Sequence, residues 1–185
     1  MEYDWISDVR KVFGAFTSTP IIACVEIEWV KQVTVFIVAK AVLNRRTIIW
    51  DPCGRLRVIP LNFLTDDILE KIHIITGMGV ETALLNYDNL IVYVPAFLEE
   101  VEPILNTAMY MASKRRPVVV LDKRRRIYTE RARRFLKVYI RRVRDNVFQF
   151  RSKLHSCLVE ITGRDVKRHH IRLSRIEKTV LDIIR

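Results

Sequence analysis

Residues 90–121, with the sequence LIVYVPAFLEEVEPILNTAMYMASKRRPVVVL, decide the fold class of this chain. The segment opens and closes with short apolar runs, 90–94 and 117–121, which are rich in Val, Ile and Leu. Between them, residues 98–113 have the length and the spacing of apolar residues that predict a helix. Buried apolar strands joined by a helical crossover are typical of a parallel sheet covered on both faces. The segment therefore predicts a strand–helix–strand unit of an α/β protein.

The same alternation of strands and helices continues towards the N-terminus. Apolar runs predict strands at 21–27, 47–50 and 72–75, and helical patterns predict helices at 8–16, 33–43, 65–70 and 80–87. The second strand runs into Asp51-Pro52-Cys53-Gly54, whose residue types favour a turn. At 185 residues the chain has room for one core of this kind. We therefore expect a single α/β domain over residues 1–185, with a mostly parallel central sheet and helices on both faces.

The C-terminal part of the chain departs from this alternation. From Thr129 to Val143 the apolar residues recur at the spacing of an amphipathic helix. They are Ala132, Phe135, Leu136, Tyr139, Ile140 and Val143. After Asn146, apolar and polar residues alternate, which predicts antiparallel strands or a hairpin added at a sheet edge. A short terminal helix is expected over residues 174–184.

Positive charge is concentrated in one stretch of the sequence. Residues 114–144 hold 14 of the 32 Lys and Arg residues and only 2 of the 21 Asp and Glu residues, a net charge of +12. The rest of the chain carries −1. So sharp a concentration of one sign is expected of a protein that meets a polyanion, most often nucleic acid.

Several other classes of protein are disfavoured by the sequence. No apolar run approaches the roughly 20 residues of a membrane span, and the acidic start of the chain is unlike a signal peptide. We therefore expect no membrane partner and a cytoplasmic location. The cysteines Cys24, Cys53 and Cys157 are odd in number and scattered, which indicates neither a disulfide framework nor a zinc site.

The order and lengths of these elements resemble the core ATPase domain of the RecA/RadA recombinase superfamily, and particularly its short archaeal RadA paralogues. Nearly the whole chain, from about Asp8 to Leu173, can be laid on that order. The resemblance implies a RecA-like domain that is closed by a C-terminal antiparallel hairpin. It also implies a phosphate-binding loop after the first strand and a DNA-binding loop after the fifth strand.

The stretch in the place of the phosphate-binding loop lacks what such a loop needs. A Walker A loop uses glycines to turn consecutive backbone N–H groups towards phosphates, followed by a Lys and a Ser or Thr. Residues 25–32 read Val-Glu-Ile-Glu-Trp-Val-Lys-Gln, so Lys31 stands in the lysine place of a degenerate motif. Val25 and Val30 replace the glycines, and Gln32 replaces the hydroxyl residue. The two carboxylates in the stretch would repel a triphosphate.

Two further positions depart from the resembled family. Cys53 stands where a glutamate would activate water, and the strand at 90–94 runs into Pro95-Ala96 without the aspartate that would bind magnesium. From these departures we expect a protein that is not an enzyme, uses no cofactor and holds no metal. A residual nucleotide-dependent enzyme that uses an unorthodox loop around Lys31 stays open as an alternative.

The nucleic-acid side of the resembled family is the part that the sequence retains. The candidate binding residues follow the fifth strand and continue into the expected basic helix: Lys123, Arg124, Arg125, Arg126, Tyr128, Arg133, Arg134, Lys137, Arg141 and Arg144. Four of them, at 133, 137, 141 and 144, would form one ridge of that helix and could follow a phosphate backbone. Because no base-reading motif is visible, we expect binding that tolerates any sequence and weakens strongly with salt.

The expected function is that of a non-catalytic RecA-like accessory protein that binds nucleic acid, with DNA as the first candidate, and assists recombination or repair. A RecA/RadA-type recombinase is the candidate protein partner, and oligomer formation stays open. The alternative is a protein-interaction subunit that assembles with an active RecA/RadA-type ATPase without itself binding DNA. Arginine-rich faces also occur as plain solvated surfaces in thermophile proteins.

Overall fold

The computed structural model describes residues 5–14, 20–26, 28–41, 45–58, 70–122, 131–144, 147–162 and 172–174. In these ranges the α-helices are α1 (Trp5–Val12), α2 (Glu28–Ala41), α3 (Glu81–Leu84) and α4 (Glu102–Ser113). The strands are β1 (Ile21–Val25), β2 (Thr47–Asp51), β3 (Ile72–Thr76), β4 (Asn89–Tyr93), β5 (Val118–Asp122), β6 (Leu136–Arg144), β7 (Val147–Arg151), β8 (Ser156–Thr162) and β9 (Arg172–Ser174). Two short 3-10 helices cover Arg55–Val58 and Arg131–Arg134.

All the described strands belong to one sheet, in the order β3-β2-β4-β5-β1-β6-β7-β8-β9. The strands from β3 to β6 in this order pair in parallel, whereas β7, β8 and β9 are added in antiparallel fashion. Strand β1 is central, because Ile21 pairs with Val119 of β5 on one side and with Leu136 of β6 on the other. The expected fold class, a mostly parallel sheet with a C-terminal antiparallel hairpin, is confirmed.

The two faces of the sheet carry separate cores. Side chains of β1 alternate, so that Ala23 enters the core beneath α1 and α2 while Ile22 enters the core beneath α3 and α4. We call these sides the α2 face and the α4 face. The inner strands β1, β2, β4 and β5 are buried along their whole length, as a sheet covered by helices on both faces requires. Each Val, Leu or Ile side chain buried in this way contributes about 1.5–3 kcal/mol to folding.

Most predicted elements are present, with shifted ends. Helix α2 begins at Glu28, five residues before the predicted start, and α4 begins later than predicted, with Pro103 in its first turn. The turn after β2 is confirmed by a hydrogen bond of 3.2 Å from the Gly54 N–H to the Asp51 carbonyl, and Gly54 has φ of 65°. The helix predicted at 65–70 lies outside the described residues apart from Glu70, which is in a turn, and that predicted at 174–184 lies outside them apart from Ser174, which ends β9.

The helix predicted from Thr129 to Val143 is wrong. The described part of this segment is a 3-10 turn, Arg131–Arg134, followed by strand β6. Val138 and Ile140 are buried in the core of the α2 face, whereas Tyr139 between them is 45% exposed. A helical stripe would bury Tyr139 together with Ile140, so the burial follows the two-residue period of a strand. Pairing with β1 on one side and with β7 on the other fixes this strand in the sheet.

Candidate functional site

The connections of the parallel strands diverge at the carboxyl edge of the sheet. From β1 the chain crosses to β2 through α2 on one face, whereas from β4 it crosses to β5 through α4 on the other face. In open α/β sheets the crevice outside the carboxyl ends of strands at such a point is the usual ligand site. Here that point lies between the ends of β1 and β4, on either side of the intervening strand β5.

The lysine of the degenerate phosphate-loop stretch occupies this crevice. Lys31 is the fourth residue of α2, and its side chain is fully buried. Its ammonium group donates a hydrogen bond to the main-chain carbonyl of Val94, directly after β4, and lies 5.7 Å from the centre of the Tyr93 ring. The amine therefore reaches past the end of β5 and is bound by the protein's own backbone.

The connection from β1 to α2 is short. Strand β1 ends at Val25 and α2 begins at Glu28, so only residues 26 and 27 separate the two elements. A phosphate-cradling loop presents a run of consecutive backbone N–H groups, which two residues cannot supply. Of the eight residues aligned with that loop, six belong to the strand or to the helix. The charge of Glu26, which is exposed, also opposes an anion at this helix start.

The turn after β2 contributes a buried carboxylate and an exposed thiol. Asp51 is fully buried, and its Oδ2 accepts a hydrogen bond of 2.7 Å from the Leu56 N–H, whereas its Oδ1 has no hydrogen-bond partner among the described residues. Desolvation raises the pKa of the exposed Cys53 thiol, as does the neighbouring Asp51, and Arg55 lowers it in part. The thiol is therefore neutral at pH 7, unlike the glutamate that the resemblance places there. Among the described residues, no group of three His, Cys, Asp or Glu side chains could hold a metal ion.

The structure describes five of the ten predicted nucleic-acid-binding residues. Arg133, Arg134, Lys137, Arg141 and Arg144 are all exposed. Within the described part of the chain, none of the five forms an ion pair. The other five, Lys123, Arg124, Arg125, Arg126 and Tyr128, lie outside the described residues.

The predicted ridge of four cations is not formed. Arg133 and Arg134 belong to the 3-10 turn before β6, and the pairing of β6 with β7 shifts register between Arg142 and Arg144. Lys137 and Arg141 share one face of the sheet instead, because residues of equal parity on a strand point to one face. Their face is the α4 face, since Lys137 pairs with Ile22 of β1.

Sequence reasoning missed two residues of this surface, Tyr139 and Arg151. Tyr139 lies between Lys137 and Arg141 on β6, and Arg151 of β7 lies directly opposite Tyr139. All four side chains are exposed, and we call them the basic sheet face. The signal that could have found them is the alternation of polar and apolar residues from 136 onwards, which is the period of a strand.

Polar side chains connect the basic sheet face to the neighbouring strands. The Arg141 Nε donates a hydrogen bond of 2.7 Å to Gln149 Oε1, and Gln149 Nε2 lies 3.4 Å from Ser156 Oγ. These contacts follow the register, in which Gln149 opposes Arg141 and the neighbouring strand β8 continues the row. Gln149 and Leu158 are buried, so the exposed part of this face lies over β6 and the ends of β7 and β8.

A parallel sheet with strand order β3-β2-β4-β5-β1-β6, helices on both faces and antiparallel strands beyond β6 is a RecA-like fold. Two of the solved structures that share it illustrate the likeness. The RadB recombinase superposes with a TM-score of 0.61 at 10% identity, over 96% of this chain and 100% of that chain. The flagellar accessory protein FlaH from Methanocaldococcus jannaschii gives 0.60 at 12% identity, over 92% and 95%. The sequence matches no protein-family model and no curated protein. None of the described helices is long and apolar enough to span a membrane.

Proposed function

We propose that this protein binds nucleic acid without sequence preference on a RecA-like scaffold, and that it does not hydrolyse nucleotides. The observation that carries the first half is a set of exposed cations that form no ion pair within the described part of the chain: Arg133, Arg134, Lys137, Arg141 and Arg144. Exposed arginines without carboxylate partners are available to phosphates, which supply most of the affinity in sequence-independent binding.

The second half of the proposal rests on the carboxyl edge of the sheet. The Lys31 ammonium is already bound to the Val94 carbonyl, and two residues connect β1 to α2. The side chains after β4 are those of Val94 and Pro95, which cannot bind a cation, and Cys53 stands where a general base would be needed. Among the described residues, this edge therefore has no anion cradle between β1 and α2 and no magnesium ligand directly after β4, two parts that phosphoryl transfer uses.

A role beside a recombinase is the further content of the proposal. One structural neighbour is itself a recombinase, and the fold covers that whole chain. We propose that this protein assists recombination or repair, with DNA as the polymer and a RecA/RadA-type recombinase as the candidate partner. At 10% identity this part depends on the shared fold alone.

The test is a fluorescence-anisotropy titration of labelled oligonucleotides of several sequences across a salt series. We expect affinities that agree between sequences and fall steeply with salt, because each neutralised phosphate releases condensed counterions. Reversing two charges, with Lys137→Glu and Arg141→Glu, should weaken binding to every sequence. It should also reduce the slope of log K against log salt by roughly 1.4 for single strands.

The matched control reverses two exposed charges far from this surface, with Arg45→Glu and Arg46→Glu before β2. This variant should bind as the wild type does. Absence of binding by the wild-type protein at low salt would contradict the first half of the proposal. For the second half, we expect ATP and magnesium to give no turnover above a protein-free control. Turnover that is lost in Lys31→Met would contradict it.

A further inference from the structure

We infer that the basic sheet face binds single-stranded nucleic acid, with Tyr139 as a platform on which one base stacks and with Lys137, Arg141 and Arg151 holding the flanking phosphates. The inference rests on the proposed function and specifies its ligand and its binding surface. It assigns roles to Tyr139 and Arg151, neither of which is among the ten nucleic-acid-binding residues predicted from the sequence.

The geometry of the strands places one aromatic ring among three cations. Along β6, Lys137 and Arg141 each stand two residues from Tyr139, a separation of roughly 6.6 Å on a strand. Across the sheet, Arg151 opposes Tyr139 directly, at a typical Cβ separation of about 5 Å. The ring is 45% exposed and has no aromatic partner or hydrogen bond among the described residues. The exposed part of the ring can therefore contact a planar ligand.

The charge of this surface selects an anionic ligand. On the α4 face of β6, β7 and β8, none of the side chains that the structure describes is acidic. Asp122 of β5 stands in the same row as Tyr139, but it is two strands away, about 9.5 Å, and it is buried. The hydrogen bond from Arg141 to Gln149 orients the guanidinium group without neutralising it.

The exposed ring distinguishes a single strand from a duplex. In a duplex the bases are stacked on one another, so a flat protein surface meets phosphates and sugars. In a single strand the bases can turn outward and stack on aromatic side chains, while cations beside the ring hold the backbone. Stacking tolerates any base, because each base has a π face. The arrangement therefore fits single-stranded nucleic acid of any sequence.

The experiment compares three ligands that carry the same number of phosphates: single-stranded oligothymidine, an abasic single strand and a duplex. The full-length protein is titrated with each at one low salt concentration. We expect the tightest binding to oligothymidine. Tyr139→Ala should weaken binding to oligothymidine roughly 5- to 100-fold, as loss of one stacked base does, and should leave binding to the abasic strand unchanged. Tyr139→Phe should bind oligothymidine as the wild type does.

Two variants serve as controls. Tyr110→Ala removes a tyrosine of α4 that is 46% exposed and also lies beside a cation, Lys114, at 5.4 Å from its ring, and it should not change affinity. Arg151→Ala should weaken binding to all three ligands. Equal binding of oligothymidine by the wild type and by Tyr139→Ala would overturn the inference, even with the salt dependence intact. If the wild-type protein bound none of the three ligands, that result would instead contradict the proposed function itself.

Discussion

At the scale of single residues, Lys31 links the sequence to the chemistry of the sheet edge. A fully buried ammonium group is costly unless hydrogen bonds replace its water. The Val94 carbonyl and the Tyr93 ring supply part of that replacement. The side chain thereby connects α2 to the end of β4 across the intervening strand β5, which gives Lys31 a structural role.

Truncating this lysine tests that role. We expect Lys31→Ala to lower the free energy of unfolding by about 2–4 kcal/mol, because it leaves a cavity and an unpaired carbonyl. Lys31→Met keeps most of the volume and should lose less. Urea denaturation followed by circular dichroism measures both, with Gln32→Ala, a half-buried neighbour on α2, as the control. A stability of Lys31→Ala equal to that of the wild type would show that the amine is not buried.

The sequence could identify Lys31 but not its partner. Its position as the seventh residue of the aligned stretch is visible in the chain, and the absence of glycine there indicates that no phosphate loop surrounds it. The contact with Val94 joins residues 63 positions apart, and it depends on how α2 lies across the sheet. Local patterns carry no information on such a contact.

At the scale of elements, strand β6 is the part of the fold for which the sequence pattern predicts the wrong secondary structure. Residues 135–144 fit a helical stripe and a strand equally well, since Leu136 and Ile140 share a face in both. The high content of Arg and Lys also favours a helix by intrinsic propensity. Pairing with β1 selects the strand, because in a strand both Val138 and Ile140 are buried in the core of the α2 face. Tertiary contacts thus override the local preference.

Two neighbouring substitutions separate the strand from the helix. Val138→Asp should destabilise the protein by roughly 3 kcal/mol or more, because it buries a carboxylate in an apolar core. Tyr139→Asp, on the exposed face, should cost about 1 kcal/mol or less. A helix with the stripe of residues 135, 136, 139, 140 and 143 would give the reverse order. Thermal unfolding of the two variants measures the difference, and the reverse order would contradict the strand.

The strands of the parallel half were predictable for a physical reason. In runs such as 90–94 and 117–121, the side chains on both faces of the strand are apolar. An apolar run of that length is typical of a strand that is covered on both faces of the sheet. Their ends shift by a residue or two, and α4 begins at Glu102, where Pro103 fits the first turn of a helix. The order of the strands in the sheet was available only through the resemblance.

At the scale of the whole molecule, the charged stretch divides into groups with different tasks. Arg116 donates hydrogen bonds to the Tyr87 carbonyl at 2.7 Å and to Asp88 Oδ1 at 3.2 Å, so it stabilises the end of α3. Lys137 and Arg141 of β6 are exposed on the α4 face. A net charge counted along the sequence therefore overstates the charge available at one surface.

Binding should raise the stability of the whole chain. A ligand at about 100 times its dissociation constant stabilises the folded state by roughly 2.7 kcal/mol, which is about 5–10 °C in Tm for a domain of this size. We expect this shift with single-stranded oligonucleotide at low salt, measured by scanning fluorimetry. Because most of the attraction is electrostatic, the shift should fall steeply as the salt concentration is raised. A shift that persists at high salt would indicate another mode of binding.

Strand β6 is held by a parallel ladder to β1 and by an antiparallel ladder to β7. A polymer that pulls on side chains of this strand along its axis therefore loads both ladders in shear, and many main-chain bonds must yield together before the strand can slide. An edge strand peeled from one side would instead lose its bonds one by one. Because β6 lies between two paired strands, it should resist tension along its axis better than an edge strand would.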